Sequence, residues 1–164
     1  EDGGHEVRRI EVARLEFPWL RTKDEFEKGT PPDSIKQAQD AIRWADHLVI
    51  FYPLWLGSMP ALLKAFLEQV FRPGVAFEYR AQGKMAKKLF TGKSARIVVT
   101  MGMPALVYRW FFLAHSLKSL ERNILAFCGI KPTRATLIGQ VEGMNERQRA
   151  SWLDEMRGLG DVGK

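Results

Sequence analysis

The sequence predicts an α/β fold: an open parallel sheet with helices on both faces, in three layers. Three observations carry that prediction. Two runs, Leu48 to Tyr52 and Ala95 to Thr100, are apolar, the second apart from Arg96 and its closing threonine, as strands buried on both faces of a parallel sheet are. A short turn and an apolar stripe at helical spacing follow the first run. Strand and helix patterns alternate along the chain, the order that parallel crossovers produce.

In chain order, residues 1–4 are polar and Gly-rich, and HEVRRIEVARL alternates into a strand centred on Val7, Ile10 and Val12. Residues 17–34 have the composition of a loop. Ser34 and Gln37 form a capping box for a helix from about 35 to 45, with Ile35, Ala38, Ile42 and Ala45 inward and Trp44 off that stripe. His47, alone at a strand entrance, fits a surface or structural role better than a ligand role. The strand at 48 stops at Pro53, which has no N–H for a ladder. After a loop from Leu54 to Ser58, Ser58 as cap and Pro60 in the first turn open a helix. Its Leu62, Leu63, Phe66, Leu67, Val70 and Phe71 pack on the sheet.

RPGVAFEYR then turns outward and KMAKKLFTGKS is a loop. Its Thr91-Gly-Lys-Ser94 is no phosphate-binding P-loop: the upstream glycine position, 87, is lysine, and a strand follows rather than a helix. The second apolar strand ends in Met101-Gly-Met-Pro104. Residues 105–128 are largely helical, with Tyr108, Trp110, Phe111 and Phe112, then an inward stripe of Leu117, Leu120, Ile124 and Phe127. Gly129 and Pro132 mark the stop. Thr133 to Gly139 is the last strand, and Asn145 to Leu159 a final helix with Trp152, Leu153, Met156 and Leu159 inward. No repeat, linker or low-complexity tract divides the 164 residues, so one domain is expected.

Composition narrows the function classes. No apolar run approaches the roughly 18 residues of a membrane span, and no signal segment opens the chain, which points to the cytoplasm. The single cysteine, Cys128, excludes an internal disulfide or a cysteine-based zinc cluster and fits a buried structural thiol; no metal site is expected. The net charge is +6, but apart from Lys84, Lys87, Lys88 and Lys93 the basic residues are scattered. With no nucleic-acid-binding signature, this is a solvated basic surface whose field also suits a nucleotide phosphate.

The α/β pattern also allows a receiver domain, a nucleotide-binding domain or a hydrolase. The strands end in Pro53 and Thr100, not in a phosphoacceptor aspartate, and neither G-x-S-x-G nor G-x-G-x-x-G occurs. What remains specific is a pair of loops at adjacent strand ends, PLWLGS at 53–58 and TMGMP at 100–104, where ligands of open sheets sit.

YPLWLGSMPALLKAFLEQVFRPGVAF resembles the first flavin-contact loop and following helix of the quinone reductase branch of the flavodoxin-like flavoproteins. That branch holds NAD(P)H:quinone oxidoreductases and flavoprotein ancillary subunits of bacterial potassium-efflux systems. The resemblance implies that Pro53, Leu54, Trp55 and Leu56 in one loop, and Thr100, Met101, Gly102 and Met103 in the other, hold an FMN or FAD ring largely through backbone groups. Family members often carry two glycines where this chain has Gly102 and Met103. It also implies that Tyr108 bonds near the flavin carbonyl, with His115, one residue beyond the best-known spacing, as a partner that settles charge on the reduced ring. A packing or solvent-facing role for His115 stays open. Phe77 and Tyr79 match aromatic positions lining the substrate face, often from a dimer partner, with core packing as the rival.

The activity implied is two-electron transfer from NAD(P)H to a small-molecule quinone by alternating binding in one pocket of a homodimer, with 105–128 as the contact surface. The alternatives are an ancillary subunit docking on a potassium-efflux transporter and a non-catalytic remnant. The resemblance begins at the family's second strand. The first strand, central in the order 2-1-3-4-5, its phosphate-binding loop and the first helix have no counterpart in these residues. Two strand edges are thus expected to lack a ladder partner, as in a fragment or in a fold where another segment fills the gap.

Overall fold

The computed structural model describes residues 3–80 and 86–163, so Lys84 lies outside the described residues. Residues 5–11 make no ladder, and Val12–Arg14 closes a single 3-10 turn. The expected strand at Val7, Ile10 and Val12 is therefore not formed. Ile10 and Val12 do pack on the core, but no described strand lies alongside to satisfy their backbone.

Helix α1 (Lys23–Lys28) interrupts the expected 17–34 loop. Thr22 Oγ1 accepts from the Glu25 amide at 3.1 Å, and the Glu25 carboxylate accepts from the Arg21 amide at 2.8 Å. Helix α2 (Asp33–Trp44) opens on Pro32 without the expected Ser34 box, because Ser34 Oγ donates to the Glu16 carbonyl instead. Its inward Ile35, Ala38 and Ile42 are buried as the stripe required. Trp44, off the stripe, has the Arg8 guanidinium 4.0 Å from its ring centroid.

Strand β1 (His47–Pro53) leads through a turn to helix α3 (Ala61–Val70), which starts on Pro60 rather than on Ser58. A short antiparallel pair follows, β2 (Phe77–Glu78) with β3 (Lys87–Lys88). Strand β4 (Ser94–Thr100) comes next, then α4 (Ala105–Trp110), α5 (His115–Lys118), a π-helical segment (Ser119–Leu125) and α6 (Ala126–Cys128). Gly129 stops this run at φ 105°. Strand β5 (Thr133–Ile138) and helix α7 (Glu146–Asp161) complete the order, Asn145 and Gln148 making a capping box for α7.

The three longer strands are parallel in the order β1-β4-β5, with His47 opposite Ser94 and Ala95 opposite Thr133. All three therefore begin at one end of the sheet and finish at the other. Leu48, Ile50, Tyr52, Ala95, Ile97 and Val99 share one core with α2, α3 and the helical run 115–128. Strand β4 is buried on both faces, as its composition predicts. Strand β1 is not. Val49 and Phe51 are 50% and 64% exposed, because no described element covers them. In α7, Trp152, Met156 and Leu159 are half-buried, but Leu153 faces outward.

Within 115–128 the π turns shift the phase of the helix. Leu117 and Leu120 are buried and Ile124 half-buried, whereas Phe127 leaves the expected inward stripe and is 40% exposed. Cys128 stays inside, and burial pushes its thiol up to about 12, which makes it a structural thiol.

His47 is also structural. Its Nδ1 lies 2.7 Å from Ser94 Oγ, and burial, then Arg96 and Arg134, push its pKa below the ordinary 6.5. A ring held neutral in the folded state takes up a proton on unfolding once the pH falls below 6.5. Stability from this group is thus present above that value and lost as the pH drops through the lower folded one. Thermal melts from about pH 7.5 to about pH 5.5, roughly one unit either side of the ordinary value, should fall less steeply for His47→Asn than for the parent chain. Equal slopes would refute the assignment.

Candidate functional site

Three strand ends meet at the carboxyl edge of the sheet. Pro53 closes β1, and the next amide, Leu54 N–H, donates to the Thr100 carbonyl at 2.7 Å. Met101 N–H donates to the Ile138 carbonyl at 2.9 Å, and Gln140 and Val141 donate to the carbonyls of Met103 and Met101, each at 3.2 Å. The two loops expected from the sequence are thus side by side, and a third, 139–142, supports the second.

The first loop is a tight turn. Trp55 and Ser58 exchange backbone hydrogen bonds of 2.9 Å around Leu56 and Gly57, whose φ values are 48° and 78°. Two consecutive left-handed residues define the hairpin-type turn that usually takes Asn-Gly. Leucine there is strained, and its side chain is fully exposed, as is most of Trp55. A leucine and a tryptophan presented this way are held out for contact rather than for the core.

The third loop depends on Gly139. A Cβ there would lie 2.4 Å from the Ala105 amide and 2.8 Å from the Met103 carbonyl, so only glycine lets β5 pass behind the second loop. Nothing in the local sequence separates Gly139 from an ordinary strand-end glycine. Its role comes from backbones distant in sequence.

A flavin ring requires backbone donors, and the fit can be tested on these loops. Among the described residues, no acceptor takes the N–H of Leu56, Gly57, Gly102 or Met103. A Cβ at Gly57 would meet open space, and one at Gly102 would come no closer than 3.8 Å to Glu142 Oε1. Free amides and uncrowded glycines at the ends of parallel strands fit a planar ring with carbonyl acceptors. A cleft of about 510 Å³ lies behind the first loop, lined by Trp55, Met59, Lys64, Ser116 and Ser119.

The other expected site residues are placed differently. Tyr108 is 2% exposed, and its hydroxyl is engaged: it is hydrogen-bonded to Ser116 Oγ at 2.6 Å and accepts from the Leu117 amide at 3.1 Å. It fastens α4 to the start of the 115–128 run. Its hydroxyl partner is Ser116, whereas His115 is exposed. The two left-handed residues between them, Leu113 and Ala114, turn the chain so that Ser116 faces the phenol. Tyr52 is buried close by with its hydroxyl unpartnered among the described residues, and burial raises its pKa.

Phe77 and Tyr79 stand at the opposite end of the sheet. Leu89 N–H donates to Ala76, Phe90 N–H to Cys128, and Lys131 N–H to Lys93, which ties the β2–β3 pair to the amino ends of β4 and β5. Phe77 is buried, edge-on to Tyr79 at 5.2 Å and to Phe127 at 4.8 Å between ring centroids, while Tyr79 is 61% exposed. Phe127, which the sequence pattern assigned to the core, therefore joins this aromatic group. Seven strand residues at about 3.3 Å each put roughly 20 Å between it and the two loops.

Parallel strands with two adjacent loops at their carboxyl ends place the chain in the open α/β class, whose ligands sit at that edge. Within that class the comparisons are specific. A family model described as flavodoxin-like fold matches residues 1–158, and the chain belongs to that family. An uncharacterized NAD(P)H oxidoreductase of Haemophilus influenzae is 28% identical over 158 residues, 94% of this chain and 77% of that protein. An FMN-dependent NADH:quinone oxidoreductase of Hahella chejuensis is 35% identical over 114 residues, 62% of this chain and 52% of the relative, so the chain spans about half of that protein. The solved NAD(P)H:quinone oxidoreductase of Methanothermobacter marburgensis superposes with a TM-score of 0.79 at 23% identity, over 98% of this chain and 81% of the other, a likeness of fold.

Proposed function

We propose that the chain belongs to a flavin-dependent NAD(P)H:quinone oxidoreductase, acting as one domain within a homodimer. The observation that carries this reading is the pair of loops at 53–58 and 100–104 with four amides left free among the described residues. The names of the relatives support FMN and a quinone. When bound, the flavin supplies two-electron hydride chemistry that no side chain here can. The chain's own part is to hold the ring with the amides of Leu56, Gly57, Gly102 and Met103, and to leave one face open for donor and acceptor in turn. Tyr108 keeps α4 in place beside the second loop through Ser116. His115, exposed and outside the Tyr108 hydrogen bonds, is free to meet the reduced ring's charge from the site's rim.

The aromatic group at Phe77, Tyr79 and Phe127 is too far from the loops of its own chain to cover them. A two-fold dimer with the sheets head to tail places this group of one copy over the loops of the other. Leu106, Trp110, Phe111 and Leu113, between 47% and 79% exposed, supply an apolar contact surface beside the loops.

Flavin titration followed by quinone-dependent NAD(P)H oxidation tests the enzyme reading. Flavin binding without turnover would support a binding subunit instead, and no flavin binding would leave a remnant. Mixing tests the dimer. Gly102→Val fills the ring side of one half-site, and Tyr79→Asp with Phe127→Asp removes the aromatic cover of the other. Each variant alone should be nearly inactive, and an equal mixture should recover about a quarter of the parent activity, since half the dimers then hold one intact site. No recovery in a mixture shown to exchange subunits would sink the shared site.

A further inference from the structure

An open cleft of about 930 Å³ adjoins Phe127 at the amino end of the sheet. Its floor is apolar, with Ala126, Phe127 and Pro132, and its walls carry Lys88, Arg122 and Lys131. Arg122 stands on the π-helical segment, a distortion common where a helix serves a site. Lys88 Nζ donates to the Ala126 carbonyl at 2.8 Å, which holds that cation against the floor. Among the described residues, none of the three cations is in an ion pair.

One carboxyl lines the cleft, that of Glu121. Burial raises its pKa, against the opposing pull of Arg122 and Lys118, and it stands against three cations. Cationic walls over an apolar, partly aromatic floor suit a flat heterocycle that carries phosphate. A quinone without charge makes no use of the walls.

We propose that this cleft seats the phosphate-bearing end of the reduced nicotinamide dinucleotide, with Arg122, Lys88 and Lys131 on its phosphates. The inference rests on the oxidoreductase reading and adds a subsite to it. The nicotinamide end then lies toward Tyr79 and, across the two-fold, toward the loops of the second copy. Two phosphate positions share this chemistry: the pyrophosphate common to both coenzymes and the 2′-phosphate of NADPH alone.

The test uses the flavin-loaded full chain with Arg122→Gln, Lys131→Met and the double variant. Binding of ADP-ribose and of adenosine 2′,5′-bisphosphate is measured by calorimetry, and KM for NADH and NADPH by turnover. Each substitution should weaken the phosphate ligand about fivefold, the effect of one solvent-facing unit-charge contact at about 4 Å, and added salt should shrink the difference. Loss of ADP-ribose binding with KM raised for both coenzymes places the pyrophosphate in the cleft. Loss confined to the bisphosphate and to NADPH places the 2′-phosphate there. Unchanged binding of both ligands in the double variant overturns the proposal. If neither coenzyme is oxidised, the oxidoreductase reading fails, while calorimetry still decides the cleft.

Discussion

Gly139→Ala should cost about 2–3 kcal/mol of stability, the range of an overpacked core site, and weaken flavin binding more than tenfold. The added methyl would stand 2.4 Å from the Ala105 amide and 2.8 Å from the Met103 carbonyl, both main-chain atoms with no rotamer to escape into. Either β5 moves away, which breaks the Met101–Ile138 and Gln140–Met103 hydrogen bonds, or the second loop moves toward the ring position. Both routes reach Gly102 and Met103. Gly143→Ala, with open space around the site, is the control and should be nearly neutral. Chemical denaturation and flavin fluorescence quenching read the two effects. A Gly139→Ala protein as stable and as flavin-avid as the parent would show that the third loop does not support the second.

Arg72→Met should destabilise the fold by about 3 kcal/mol without touching the loops. Arg72 is 5% exposed and donates to the Gly29 carbonyl at 2.6 Å, to the Glu25 carbonyl at 3.0 Å and to Gln69 Oε1. Gln69 in turn donates to the Pro18 carbonyl at 2.7 Å, and Gln39 to the Gln69 carbonyl. This network pins the 17–29 segment onto the end of α3. Methionine keeps much of the volume but leaves the buried Gln69 Oε1 without this donor, at about 1–3 kcal/mol, and releases the Gly29 and Glu25 carbonyls that tie the segment to α3. Arg72→Lys, with one point charge in place of a fork, should recover only part of the loss. Urea denaturation measures the change, and limited proteolysis should show earliest cutting within 17–29. A neutral Arg72→Met would mean that the segment holds itself.

Much of this molecule was legible in sequence because its signals are local. Apolar runs marked β1 and β4, helical spacing marked the inward faces of α2 and α3, and strand-end position marked both loops. The misses have physical causes. The Thr22-x-x-Glu25 cap is a local signal, but the helix it opens has six residues, too few to show a period. Ser58 and Ser34 were eligible caps, but the Ser58 backbone belongs to the turn with Trp55, two residues before the helix cap at Pro60, and Ser34 Oγ donates to the Glu16 carbonyl. Leu153 and Phe127 kept their periodicity while their helices turned that face outward, the second through π turns that no residue pattern announces.

The sequence by itself determined the class of fold, the place of the two loops and the burial of Cys128, since each follows from hydrophobic order and chain direction. Only the tertiary structure decided that Val49 and Phe51 lie open, that Tyr108 is bound to Ser116, and that Phe77 and Tyr79 stand at the far end of the sheet from the loops. Burial, hydrogen-bond choice and the distance between strand ends are set by residues remote along the chain. No local pattern contains them.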